Sequence, residues 1–137
     1  MLDFLTLTGR RKKINYGKYK VNWEIEGRSK FQKRIKDFLR PYWDKYIICE
    51  EFPVSGTRLT FDFYNVNKKI AIEVQGQQHT KYVPFFHGVK NNFLNQLERD
   101  SDKLRFCRIN NIQLIEIYPK DEPLTKEFFK KQGIELN

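Results

Sequence analysis

The sequence predicts an α/β (α+β) domain built on a central mixed four-stranded sheet flanked by helices, and three observations carry that expectation. Apolar residues alternate along three short runs in succession, YIICEEF at 46–52, RLTFDFYN at 58–65 and KIAIEVQG at 69–76. This is the period of half-buried strands. A helical stripe precedes them, with Phe31, Ile35, Phe38 and Leu39 at i, i+4, i+7 and i+8. A second helical segment, about 92–109, leads into a fourth strand-like run, IQLIEIY at 112–118.

Taken in order, residues 1–27 are basic and sprinkled with Tyr16, Tyr19 and Trp23, and Gly9, Gly17 and Gly27 interrupt them. They predict an arm with little regular structure, attached to a single domain over 28–137. Ser29 and Gln32 form a capping box, S-x-x-Q, at the start of the first helix, and Pro41 is expected to stop it. The turns PVSG and NVNK separate the first three strands, which should form an antiparallel meander. The pair Asn110-Asn111 ends the second helix, and LTKEFFKKQG reads as a short closing helix terminated by Gly133.

At 137 residues with 39% apolar content, the chain suits one domain and is too short for a second. Lysine and arginine number 26 against 17 acids, a net charge of +9, and the excess is uneven. Arg10, Arg11, Lys12, Lys13, Lys18 and Lys20 crowd positions 10–20 without an acid, a stripe suited either to a polyanion or to a solvated tail. No stretch approaches the roughly 20 apolar residues of a membrane span, and MLDFLTLTG places its apolar residues before the basic ones, unlike a signal peptide. The expected location is therefore the cytoplasm. Cys49 and Cys107 lack zinc-site spacing and read as buried reduced thiols.

Alternation along the strands decides which side chains can meet. Leu59, Phe61 and Phe63 should share one face, and Thr60, Asp62 and Tyr64 the other. On the next strand Ala71, Glu73 and Gln75 should lie opposite the apolar Ile70, Ile72 and Val74, which sets Asp62 beside Glu73. Two carboxylates side by side repel unless a cation lies between them. Mg²⁺ is suited to the task, since one or two carboxylates commonly hold it while water and phosphate complete its shell. The competing reading is an ordinary polar pair on a half-exposed sheet.

An acid in one strand followed by E-x-[KQ] in the next resembles the PD-(D/E)xK nuclease superfamily, with Asp62 and Glu73-Val74-Gln75 as the core and Gln75 at the lysine position. EVQGQQH followed by RDSDKLRFCRINNIQLIEI is similar to its very-short-patch-repair-like branch and to the phage EDxHD homing endonucleases. The resemblance covers about residues 29–118 and implies a restriction-endonuclease-like core. Asp62, Glu73 and the Val74 carbonyl would hold Mg²⁺ or Mn²⁺, while His79 and Asp100 match a histidine and an aspartate of those relatives. Gln32 stands where many relatives carry a glutamate, and Glu50 or Glu51 is a possible replacement. Gln75 cannot titrate, so proton transfer would fall to His79, with His87 the competing candidate and Asp100 orienting the imidazole.

The expected function is a Mg²⁺-dependent DNA endonuclease that nicks or selects branched or mismatched structures, and a homodimer if it breaks both strands. The basic arm, Lys68, Lys69, Lys81 and Lys103 would contact the nucleic-acid backbone. Alternatively, the chain is a catalytically inactive nucleic-acid-binding module on the same fold.

Overall fold

A computed structural model describes residues 1–25, 29–76 and 101–137. The chain opens with a hairpin of β1 (Leu2–Leu5) and β2 (Arg11–Ile14), followed by a 3-10 turn over Tyr16–Tyr19. Helix α1 (Lys30–Trp43) leads into β3 (Ile48–Pro53), β4 (Thr60–Asn65) and β5 (Ile70–Val74). Helix α2, described over 101–109, precedes β6 (Gln113–Ile117), and α3 (Lys126–Lys131) closes the chain. The expected mixed α and β architecture is therefore present. The main sheet has the order β3-β4-β5-β6, its first two pairings antiparallel and the β5–β6 pairing parallel.

Both faces of this sheet are covered. Against one face, α1 and α3 bring Ile35, Leu39, Trp43 and Phe129 onto Ile48, Phe63, Ile72, Ile115 and Ile117. On the other, Phe4 and Phe106 pack with Cys49, Phe52, Phe61, Tyr64 and Ala71. Double coverage explains why Ile70, Ala71, Ile72 and Glu73 are buried one after another, without the exposed positions a one-sided sheet would show. Cys49 and Cys107 are buried free thiols, as their surroundings suggested. Burial raises both above the ordinary thiol range, Cys49 to about 11 and Cys107 to about 12.

Four local expectations are corrected. Residues 1–25 are not an arm of little regular structure: β1 and β2 pair in register from Leu2↔Ile14 to Leu5↔Arg11, and Lys20 bridges to Cys49 at the outer edge of β3. The anchoring residue is Phe4, buried with its ring 5.7 Å from those of Phe52 and Phe106. Among the described residues of α1, Pro41 does not stop the helix, which continues to Trp43. Only half of the capping box forms: Ser29 Oγ accepts from the Gln32 N–H at 3.0 Å, while the Gln32 amide turns away toward Glu51.

The fourth correction concerns the strand faces. Phe61 and Leu59 pack in the Phe4–Phe106 core, while Phe63 faces α1, so the three do not share a face. The break in alternation coincides with Glu51, which stands opposite Asp62 and has φ of 49°, a left-handed conformation uncommon outside glycine.

If the hairpin is part of the core, truncating its anchor must be felt throughout the domain. Phe4→Ala should lower stability by about 3 kcal/mol or more, measured by urea denaturation. A merely tethered arm would leave the midpoint unchanged.

Candidate active site

The β4–β5 ladder runs Asn65↔Ile70, Tyr64↔Ala71, Phe63↔Ile72 and then ends. The next position would pair Asp62 with Glu73, and there the strands part. The side chain of Asp62 fills the opening: Oδ2 accepts from the Val74 N–H at 2.7 Å, replacing a backbone acceptor with a carboxylate. β5 instead keeps its pairing with β6, through Val74↔Ile117 and the Gln75 N–H to the Ile117 carbonyl at 2.8 Å. The parting thus sets Asp62 at the mouth of the split, where it is half-buried, and Glu73 deeper, 6% exposed.

Glu73 is the most strongly perturbed acid among the described residues. Burial raises its carboxyl to about 8, and the nearby Asp62 charge pushes the same way. Lys103 of α2 opposes this, reaching Oε1 of Glu73 as an ion pair. Lys103 is the partner of Oε1, which receives no other hydrogen bond among the described residues. Lys103 was expected at a phosphate; its ammonium lies instead against the central carboxylate, with only 16% of the side chain exposed.

On the other side of Asp62, Glu51 supplies a third acid in the same cross-strand row. Its Oε2 accepts from Thr60 Oγ1 at 3.2 Å and its Oε1 from Gln32 Nε2 at 3.4 Å. Gln32 is thereby tied to this row, although the capping pattern alone accounted for it in the sequence. Glu50 is not available for the role, since the fully buried Lys36 holds it at 2.7 Å on the α1 side. Glu51 leans toward α1 and Glu73 toward α2, so the acids form a line rather than a cage. Among the described residues, no group of three or more histidine, cysteine or acidic side chains is close enough to hold a metal ion.

Asp62 and Glu73 are neighbours where the strands part, and Gln75 is buried just beyond the end of β5. Lys68 and Lys69 lie at the opposite end of the β4–β5 hairpin, where the Lys68 ammonium stands 5.3 Å from the Tyr46 ring centre. Arg10, Arg11, Lys12, Lys13, Lys18 and Lys20 are exposed on and after the N-terminal hairpin. His79, Lys81, His87 and Asp100 lie outside the described residues. Two members of the site had a faint signal in the sequence. Lys103 sits three and four positions before the apolar Phe106 and Cys107, on the inward stripe of its helix, and Glu51 falls opposite Asp62 once the PVSG turn is closed.

No family model matches the chain, and no solved structure does. Three viral proteins are similar to part of it. "Uncharacterized protein 307L" of Invertebrate iridescent virus 6 is 44% identical over 59 residues, 43% of this chain and 30% of the relative. "Uncharacterized protein 033L" of Invertebrate iridescent virus 3 is 37% identical over 65 residues, 47% of this chain and 34% of the relative. "Uncharacterized protein 094L" of Frog virus 3 is 42% identical over 66 residues, 47% of this chain and 43% of the relative. The matched stretch therefore spans less than half the length of each of these curated relatives. No helix among the described residues is long and apolar enough to cross a membrane.

The raised Glu73 carboxyl has a consequence for stability. Between about 4.5 and about 8 the folded chain keeps a proton that the unfolded chain has lost, so stability is greatest below this window and falls as pH rises through it. The slope inside the window should approach about 1.4 kcal/mol per pH unit. Glu73→Gln should remove that slope in denaturant titrations from pH 5 to pH 8, and an unchanged slope would show that burial does not govern this acid.

Proposed function

We propose that the chain is a metal-dependent DNA endonuclease centred on Asp62 and Glu73. The observation that carries this reading is the parting of two central strands at an opposed pair of carboxylates, one of them buried and under electrostatic stress. A sheet that needed only a polar edge would not bury Glu73 and aim a lysine at it. The donor set fits Mg²⁺ or Mn²⁺ at the level of ligand type, because Mg²⁺ commonly takes one or two carboxylates and leaves its remaining positions to water and phosphate. When bound, the metal would acidify a water and offset charge on the phosphate.

The chain's own groups divide the remaining work. Asp62, Glu73 and the Val74 carbonyl are the groups that would hold the cation. Glu51, fixed by Thr60 and Gln32, adds negative charge at the outer end of the row. Gln75 cannot carry charge, so Lys103 is the cation nearest the chemistry among the described residues, and on release from Glu73 its ammonium can meet a phosphate oxygen. His79 takes the proton, with Asp100 orienting it. Exposed basic residues of the hairpin, with Lys68, Lys69 and Lys81, engage the DNA backbone. The proposed setting is the cytoplasm of a host cell, with a homodimer if both strands are cut.

A second reading has an observation in its favour. Lys103 already supplies a charge partner for Glu73, and Gln32 and Gln75 are neutral, as in a nucleic-acid-binding module that has lost its chemistry. Incubation with plasmid, linear and branched DNA separates the two. The endonuclease should nick or cut at least one of them with Mg²⁺ or Mn²⁺ and stop in excess EDTA, whereas the binder should shift them without cutting. Glu73→Gln should abolish cleavage while metal-free DNA affinity stays equal or rises slightly, because a group able to carry negative charge beside the phosphates has been replaced by one that cannot. Wild-type cleavage by this variant would refute the metal centre.

The proton-transfer group can be ranked independently. His79→Ala should slow cleavage by about 10² or more, and His87→Ala by less, under single-turnover conditions. The reverse order would move the role to His87.

A further inference from the structure

The N-terminal hairpin turn leaves a concavity of about 650 Å³ against the turn between β3 and β4, lined by Thr6, Leu7, Thr8, Arg10, Arg11, Lys12 and Gly56. Three of these residues are cationic and none is acidic. Arg10, Arg11 and Lys12 are exposed and enter no ion pair among the described residues. Asp3, the one acid of the hairpin strands, is opposite Lys13 in the ladder and does not line the concavity. Unlike Lys36 and Lys103, which have carboxylate partners, these three cations face solvent together.

Their positions are fixed by neutral contacts. The turn is closed by the Thr6 N–H to the Arg10 carbonyl at 2.8 Å, and the Arg10 N–H returns to Thr6 Oγ1 at 3.1 Å. Thr6 is pressed onto Gly56, where an added Cβ would meet Thr6 Cγ2 at 2.9 Å and where φ is 85°. Asn110, just after α2, grips β1 from the other side: its Oδ1 accepts from the Leu5 N–H at 2.8 Å and its Nδ2 donates to the Leu5 carbonyl at 2.9 Å. With Phe4 buried against Phe106, the hairpin is joined by packing as well as by hydrogen bonds to the end of α2.

We infer that this concavity is a pre-formed seat for the phosphodiester backbone of a nucleic acid, held in fixed register with α2 by Asn110 and Gly56. It refines the nucleic-acid half of the proposed function and does not depend on the metal centre. A loose basic tail must be ordered when it binds. Here folding has already ordered the backbone that carries the cations, so the seat loses less on binding. Because Lys103 lies on the same helix that Asn110 terminates, a backbone held in the seat also has a set position relative to the carboxylate row.

The test measures binding of a fluorescent DNA duplex of arbitrary sequence in EDTA across a range of salt, so a failure of cleavage cannot be mistaken for a failure of the seat. Replacing Arg10, Arg11 and Lys12 together by serine should weaken binding at least tenfold at low salt. It should also lower the log–log salt slope by about 2 to 3, since each lost phosphate contact removes about 0.9. Serine at Lys126, Lys130 and Lys131 removes the same charge from α3, across the sheet, and should change both quantities much less. Equal losses from the two triples would overturn the seat in favour of net charge. Asn110→Ala, which alters no charge, should weaken binding severalfold in a protein whose circular dichroism is unchanged. Gly56→Ala is the second variant should Asn110→Ala not fold, and wild-type affinity in the folded variant would overturn the fixed seat. Saturation by inorganic phosphate with no gain for the polymer would also overturn it, leaving an isolated ion site.

Discussion

A sheet covered on both faces offers no water to the polar side chains it turns inward, and this constraint shapes the rest of the molecule. Each inward charge must find a protein partner or give up its charge. Lys36, with no exposed surface, takes Glu50 and the carbonyl of Ile25. That pair looks structural: it lies on the α1 side, joins a helix to a strand and pins the segment that leads into the helix. Glu73 receives less. Among the described residues Lys103 is its ammonium partner, and burial and the nearby Asp62 charge both work against its ionisation. The two pairs have the same composition, yet one is well satisfied and the other is under stress, and it is the stressed pair that sits where the strands part.

The parting is itself a consequence of that chemistry. A backbone N–H at the end of β5 needs an acceptor, and Asp62 provides a carboxylate where a continued ladder would provide a carbonyl. A carboxylate in that place is bulkier and charged, so the strands diverge, and the opening exposes Asp62 while leaving Glu73 inside. On the outer side, the left-handed backbone at Glu51 turns its side chain toward Gln32 and sends Phe52 and Phe61 to the opposite core. Strain at one residue thus does two jobs: it delivers a third acid to the row and supplies two aromatic rings to the cluster that anchors the hairpin.

Those couplings explain which features could be read from the chain. The four strands, their order along the sequence and the stripe of α1 follow from periodicity, which depends on local residues alone; the nearness of Asp62 to Glu73 follows from the turn that joins their strands, although the ladder ends before that position. The hairpin at the N-terminus did not announce itself. β2 is Arg-Lys-Lys-Ile, with no alternation to detect, and its stability comes from Phe4 reaching a core assembled by residues 49–107. The faces of β4 depart from alternation for a related reason, since alternation assumes that every residue of the strand and of its partner is extended, and Glu51 is not. Gln32 could be read only as a cap, because the amide's second partner is nineteen positions away on another strand.

The position of Lys103 decides how the site should be understood. Were it a free surface cation, Asp62 and Glu73 would repel each other unaided, and burial of Glu73 would be an unexplained cost. With its ammonium against Glu73, part of the negative charge of the carboxylate row is offset by a side chain of the chain itself. The same contact sets a requirement on any divalent ion that enters, which must compete with an ammonium held by a helix. That helix is joined through Phe106 and Asn110 to the hairpin carrying Arg10, Arg11 and Lys12. A polyanion lying across the hairpin and the carboxylate row would attract the hairpin cations and the Lys103 ammonium together, drawing the lysine toward phosphate and away from Glu73.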